Sequence, residues 1–517
     1  MKIKSATIIF LAITFSFFSS AQNSETERLV AAMLGHTQIQ DDLHELCDKI
    51  GGRVTGTESN EKAIEWSLRK FKESGVEARK EAFQMPSLWD EKNCTAKITG
   101  TSSFSPRVVS RAFSIGTNTS GLEAELISVG YGTEDDFKKA GDKIKDKFVL
   151  VTTDELTELG GLFKEYNDAH EIEGRAMAAQ VKGVVYMSSR PKKLLFRHLA
   201  SRGHNNTLPL VVMARDDASR CIRILDKGGK LNINLNIELT TGGSYTSYNV
   251  IGEIKGSEKP DEIVLIGAHL DSWGMGTGAN DNGCNVSLVI DIARQMTLSG
   301  IIPKRTIRFA LWNGEEQCIC GSYAYTQQHE NELDKHIVIA SIDIGSGRIT
   351  GFFTGYNPEL DIETTKALES VASLAPYDDE TPIVEDIPAD TEREFDKQRP
   401  QSRFFQNVDA PIVGTDNYDF MMQGVPNLVG IQEGANYCSD YHSESDTYDK
   451  VNLQNLKINS AIVASTILHF ANLENVILKR KNRNEVQKMI EETKLDVPMK
   501  AFEYWQGWLD GTRGRKP

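Results

Sequence analysis

At 517 residues the chain exceeds what one hydrophobic core ordinarily holds, so two or three domains are expected. Its 39% hydrophobic and 25% charged residues are those of a soluble globular protein, and a formal net charge of −15 argues against nucleic-acid or anionic-membrane partners. Seven cysteines are scattered with no CxxC pair; Cys318 and Cys320 stand too close in sequence for an easy bridge, and most thiols are expected to be buried or unpaired.

The first residues read as a targeting segment. Met1-Lys2-Ile3-Lys4 is basic, Ala6 to Phe18 is apolar, and Ser19-Ser20-Ala21 offers a small-residue cleavage site. The apolar run is short for a transmembrane span, so residues 1–21 are expected to be a signal peptide, cleaved near Ala21, and the protein to be exported to the periplasm or beyond. After it, the Leu43/Leu46/Ile50 face breaks at Gly51-Gly52-Arg53-Val54-Thr55-Gly56. A helix from about Asn60 follows, with Ala63, Ile64, Trp66, Leu68 and Phe71 at helical spacing and a stop at Gly75.

From about Cys94 the texture changes to short strands between Gly and Asn turns. Residues 115–241 are expected to form an inserted smaller α/β or β-rich domain, interrupting a catalytic domain built from 22–114 and 242–474. Its His198 and His204 are lone histidines in a basic, loop-like stretch and read as surface residues. The acidic segment 378–396 reads as a solvated loop, and 475–517 as a charged peripheral appendage.

The chemistry centres on Ile263 to Met296. A run of Ile, Val, Leu, Gly and Ala leads into His269-Leu270-Asp271, a glycine-rich loop reaches Asp281, and Val286, Val289, Ile290, Ala293 and Met296 recur at helical spacing. This is a buried strand, a polar loop at its C-terminal end and a helix, the place where open α/β sheets bind ligands. Three more polar stretches follow strand-like runs or lie in loops: Glu315-Glu316 after Thr306–Trp312, Asp343 after Ile337–Ile342, and His442 within Asn436–Thr447. Two imidazoles and three carboxylates suit two zinc ions sharing one carboxylate, each ion keeping an open position. Asp281 is the natural bridge, His269 and Asp343 serve one ion, and Glu316 and His442 the other. Glu315 is then free to act as general base, and Asp271 to accept the second N–H of the His269 ring. A metal pair of this kind holds a hydroxide and polarises a carbonyl.

The series GAHLDSW, GANDN, NGEEQ, the Asp after IVIASI, and YHSESDTYDKV resembles the co-catalytic zinc exopeptidases that include bacterial leucyl aminopeptidases, and among them the plasma glutamate carboxypeptidase group. GGRVTGTESNEKAIEW and GTDNYDFMMQGVPNL share that resemblance, and AELISVGYG with LPLVVMARDDA is similar to an inserted protease-associated domain. The resemblance implies an α/β fold with a mixed, mostly parallel sheet flanked by helices, two zinc ions, a small peptide substrate and often a homodimer. It also implies His269, Asp281, Glu316, Asp343 and His442 as ligands and Glu315 as base. Asn285, Cys318 and Gly274 depart from the usual pattern without touching the ligand set. Arg399 and Arg403 add cations to a region rich in carboxylates, so aminopeptidase and carboxypeptidase action both remain open.

Rival readings fare worse. Gly274-x-Gly276-x-x-Ala279 resembles a dinucleotide fingerprint but lacks the strand–turn–helix context, and no G-x-S-x-G elbow occurs. A peptidase fold retained only for binding, or a single-zinc glutaminyl cyclase chemistry, is the alternative; the complete ligand set with its base favours two metals.

Overall fold

The computed structural model describes residues 25–376, 405–434 and 437–516. The signal segment, the acidic stretch 378–396, Arg399 and Arg403 lie outside the described residues. Two seven-stranded sheets organise the rest.

The first sheet contains β1 (Glu77–Met85), β9 (Tyr245–Ile254), β10 (Lys259–His269), β11 (Arg305–Trp312), β12 (His336–Ser341), β13 (Ile349–Phe353) and β14 (Asn427–Gln432), in the order β1-β9-β11-β10-β12-β14-β13. Its four central strands β11, β10, β12 and β14 run parallel, whereas β1, β9 and β13 join antiparallel at the edges. The sheet is therefore parallel only at its centre. Every residue of β11 and β12 is buried, as are the last seven of β10. That is why these strands read as continuous apolar runs: helices cover both faces of a parallel centre. The helix Cys284–Leu298, which returns from the loop after β10, shares one buried cluster with β10, β11 and the long helix Leu453–Asn472.

The second sheet contains β2 (Leu88–Gly100), β3 (Val108–Ser110), β4 (Leu122–Ser128), β5 (Phe148–Val151), β6 (Gly183–Met187), β7 (Leu210–Met213) and β8 (Leu231–Gly242), in the order β2-β8-β4-β5-β6-β7-β3. This sheet recruits β2 and β3, so it begins well before a boundary at 115. Residue alternation in β2 is weak, and its place is set by pairing with β8 from Leu88↔Gly242 to Gly100↔Leu231. The chain leaves the first sheet at Met85 and returns at Tyr245, and these two residues pair with each other.

The C-terminal segment is not peripheral. Helices Arg483–Thr493 and Trp505–Asp510 pack Val486, Met489, Ile490 and Trp508 against Tyr418, Met421 and Met422 of the helix Asn417–Met422. Phe502 then stands 5.0 Å from the Tyr166 ring of the helix Gly160–Ala178. Cys318 and Cys320 are disulfide-bonded: Ile319 between them adopts φ +52°, which turns the chain enough to bring the two Cα atoms to 5.0 Å. The other five cysteines are free. No described helix is long and apolar enough to cross a membrane.

Candidate metal centre

All four central parallel strands deliver a polar side chain at their C-terminal ends. His269 closes β10, Glu315 and Glu316 open a short helix three residues beyond β11, Asp343 follows β12, and His442 lies in the turn after the short helix Tyr437–Asp440 that follows β14. Asp281 comes from the turn between β10 and its helix, where the Asp281–Asn282 peptide is cis.

The structure brings the five predicted ligands into two triads that share Asp281: His269, Asp281 and Asp343, and Asp281, Glu316 and His442. His269 Nε2 lies 3.1 Å from Asp281 Oδ1 and 2.9 Å from Asp343 Oδ1. His442 Nε2 lies 3.2 Å from Asp281 Oδ2 and 2.8 Å from Glu316 Oε2. Each oxygen of Asp281 thus faces a different imidazole. Asp281 Oδ2, Glu316 Oε1 and Asp343 Oδ1 are buried without an aligned hydrogen bond. Oxygens left this way, with three carboxylates around two imidazoles in a buried site, are costly unless a cation neutralises them. The donor set of N and O atoms in two trios fits zinc.

Glu315 stands beside the first trio. Burial pushes its carboxyl well above the usual range, reinforced by Asp343, Asp416 and Glu316 and opposed by His269. Burial raises Glu316 to about 7, with Asp281 adding to the rise and His442 opposing it.

Asp271 serves differently from the sequence expectation. His269 Nδ1 is 3.0 Å from the main-chain oxygen of Asp271, whereas the carboxylate is 3.8 Å away. That carboxylate instead accepts from Thr55 Oγ1 at 2.8 Å and from the Glu315 N–H at 3.2 Å. Two residues beyond the histidine, the chain curls so that its own carbonyl meets the ring. The side chain is thereby free to hold the turn that carries Glu315.

Several contributors were not anticipated. Thr55 also accepts the Gly314 N–H at 3.2 Å, so the early Gly51–Gly56 segment is part of the site wall. Arg53, fully buried, donates to the carbonyls of Leu270, Gly51, Thr277 and Gly278. Asp446 accepts the N–H groups of Asn280 at 2.6 Å and Asp281 at 3.1 Å, fixing the turn that carries the shared carboxylate. Asp416 is buried, accepts from Ser322 Oγ at 2.6 Å, and leaves Oδ2 without a hydrogen bond. Trp273, Gly276, Asp281, Glu316, His442 and Asp446 line a small cavity here.

His198 departs most from expectation. It is buried rather than superficial, its Nδ1 3.1 Å from His442 Nδ1 and its Nε2 2.6 Å from Glu165 Oε2. Burial pulls its pKa down to about 3 against the opposing pull of Glu165. His204 is exposed, as expected.

Residues 249–467 match the model of peptidase family M28. Carboxypeptidase Q of Bos taurus is 24% identical over 474 residues, covering 90% of this chain and 89% of its own. Aminopeptidase YwaD of Bacillus subtilis is 27% identical over 331 residues, covering 62% of this chain and 64% of its own. Among solved structures, a peptidase M28 precursor from Shewanella amazonensis superposes with a TM-score of 0.78 at 25% identity, over 90% of this chain and 99% of that one. A zinc aminopeptidase from Bacillus subtilis shares the fold, with a TM-score of 0.61 at 19% identity over 83% and 93% of the two chains.

Proposed function

We propose, from the match of residues 249–467 to peptidase family M28, that this protein is an exported dizinc exopeptidase acting on terminal peptide bonds of small peptides. The observation that carries the reading is the pair of three-residue clusters meeting on Asp281, with Glu315 beside them. His269, Asp281 and Asp343 would hold one zinc ion, and Asp281, Glu316 and His442 the other. When bound, zinc supplies Lewis acidity, which makes water a stronger acid and polarises a peptide carbonyl. The rest of the work falls to the chain. Glu315, its backbone held by the Asp271 carboxylate, accepts a proton from the attacking water and hands it to the departing amine. Asp271 and Thr55 hold the Glu315 turn in register through the Glu315 and Gly314 N–H groups.

Metal analysis joined to peptide hydrolysis tests the reading. Wild-type protein should carry zinc and cleave dipeptides, while Glu315→Gln keeps its zinc and loses about 10²–10⁴-fold in kcat, the usual contribution of a positioned base. A metal-replete wild type that cleaves nothing in a broad dipeptide panel overturns the enzyme reading. A fully active Glu315→Gln overturns the base assignment.

A further inference from the structure

The inserted module reaches into the metal centre. Its Phe196 makes a one-residue antiparallel bridge with Ser443, the Arg197 N–H donates to the His442 carbonyl at 2.9 Å, and the Glu444 N–H donates to the Leu195 carbonyl at 3.2 Å. Arg190 donates from Nε and a terminal nitrogen to the Tyr441 carbonyl at 3.2 and 3.1 Å. Tyr166 and Tyr441 share a hydrogen bond between their hydroxyls at 2.9 Å. The loop so held contains His442 at φ +58°, a left-handed conformation that a residue with a Cβ adopts only at a cost. The Tyr441 side chain stacks on the imidazole at 3.7 Å between centroids.

We infer that His198 and Glu165 of the inserted module are positioning residues that fix the orientation and tautomer of His442, so that the zinc site of Asp281, Glu316 and His442 is complete only with the module in place. This rests on the reading of His442 as a zinc ligand. His442 Nε2 faces Asp281 and Glu316, so its ring proton must sit on Nδ1 if Nε2 is to bind metal. Nδ1–H then donates to His198 Nδ1 at 3.1 Å, and His198 Nε2–H donates to Glu165 Oε2 at 2.6 Å. Arg190, its side chain fully buried, anchors the far end by donating to Glu165 Oε1 at 3.1 Å. Each proton in this chain has one place to be. A ligating histidine normally passes its second N–H to a neighbouring carbonyl or carboxylate, and that partner tunes its basicity. His269 does so within its own strand end, through the Asp271 carbonyl. His442 relies instead on a residue 244 positions away.

The test uses the full-length protein and compares His198→Phe with His198→Asn. Phe fills the space but cannot accept from His442 Nδ1–H; the Asn side-chain oxygen takes the place of His198 Nδ1. Zinc affinity is measured by chelator competition, with the absorption spectrum of the cobalt-substituted protein as a second readout and thermal unfolding of the metal-free protein as the folding control. His198→Phe should weaken one of two zinc-binding steps about 10–100-fold and alter half of the cobalt spectrum, with the other step unchanged. His198→Asn should recover most of that loss. Unchanged zinc affinities in a folded His198→Phe, or an Asn variant as weak as the Phe variant, overturns the inference. A wild type that binds no zinc fails the functional reading instead.

Discussion

Replacing Arg53 by Lys should loosen the loop that carries both Asp271 and Asp281. The guanidinium donates to four carbonyls at 2.7–3.0 Å, and no carboxylate is among its hydrogen-bond partners in the described residues. Two of these acceptors, Thr277 and Gly278, immediately precede the turn that presents the shared carboxylate, and Leu270 directly follows His269. The acceptors surround a planar fork. An ammonium is a compact point charge and reaches two of the four from one position, leaving two buried carbonyls without a charge-assisted partner. At about 1.5–3 kcal/mol for each such bond, the substitution costs ~3–6 kcal/mol. Urea unfolding of the metal-free wild type and Arg53→Lys reads this directly. Zinc competition then shows whether the two proposed binding steps weaken together, as expected if Asp281, the proposed common ligand, loses its support. A Lys variant within about 1 kcal/mol of wild type, less than one such bond contributes, would refute the reasoning.

Asp446→Asn leaves one amide oxygen where two carboxylate oxygens now accept the Asn280 and Asp281 N–H groups; it should cost about 1–3 kcal/mol in urea unfolding and weaken both proposed zinc-binding steps. Trp508→Ala removes a fully buried side chain whose Nε1 donates to Gln487 at 2.7 Å. A loss of about 3–5 kcal/mol and protease sensitivity after residue 475 are expected; an appendage without structural weight would lose neither. His336 is buried between Tyr325 and the Glu332 carbonyl, and burial lowers its pKa from 6.5 to about 4. Its folded pKa lies below its unfolded one, so the neutral ring's contribution is complete above pH 6.5 and is lost as pH falls toward 4, on the order of 3 kcal/mol in all. His336→Gln should flatten the stability profile in that window relative to wild type.

The central strands and the five candidate ligands were legible because both leave local traces. A strand buried on two faces must be apolar along its length, and a polar residue where such a run stops has few structural reasons to be there. What escaped was long-range. Arg53 looks like any surface arginine until four carbonyls, three of them more than two hundred positions away, close around it. His198 likewise carries no mark of its burial, since Glu165 and His442 flank it in space and neither is a sequence neighbour. β2 falls in the second sheet although a boundary at 115 groups it with 22–114, because its burial does not alternate cleanly and its pairing with β8 reveals its sheet. The Cys318–Cys320 bond depends on one left-handed residue, Ile319, a conformation that residue type does not advertise. From the sequence, the Asp271 carboxylate is expected to accept the second N–H of His269, but the main-chain oxygen of Asp271 meets the ring instead, a matter of a single backbone turn.

The inserted module enters and leaves the first sheet through adjacent paired strands, Met85 opposite Tyr245 and Leu88 opposite Gly242. A pendant attached by such a ribbon alone would swing about it as a flap on a strap. The second attachment, at Phe196–Ser443 and Arg190–Tyr441, closes the strap into a buckle. Any rotation of the module about the ribbon must first undo the buckle, and undoing it releases His442. Opening the molecule at this seam and drawing His442 away from Asp281 and Glu316 are therefore one motion.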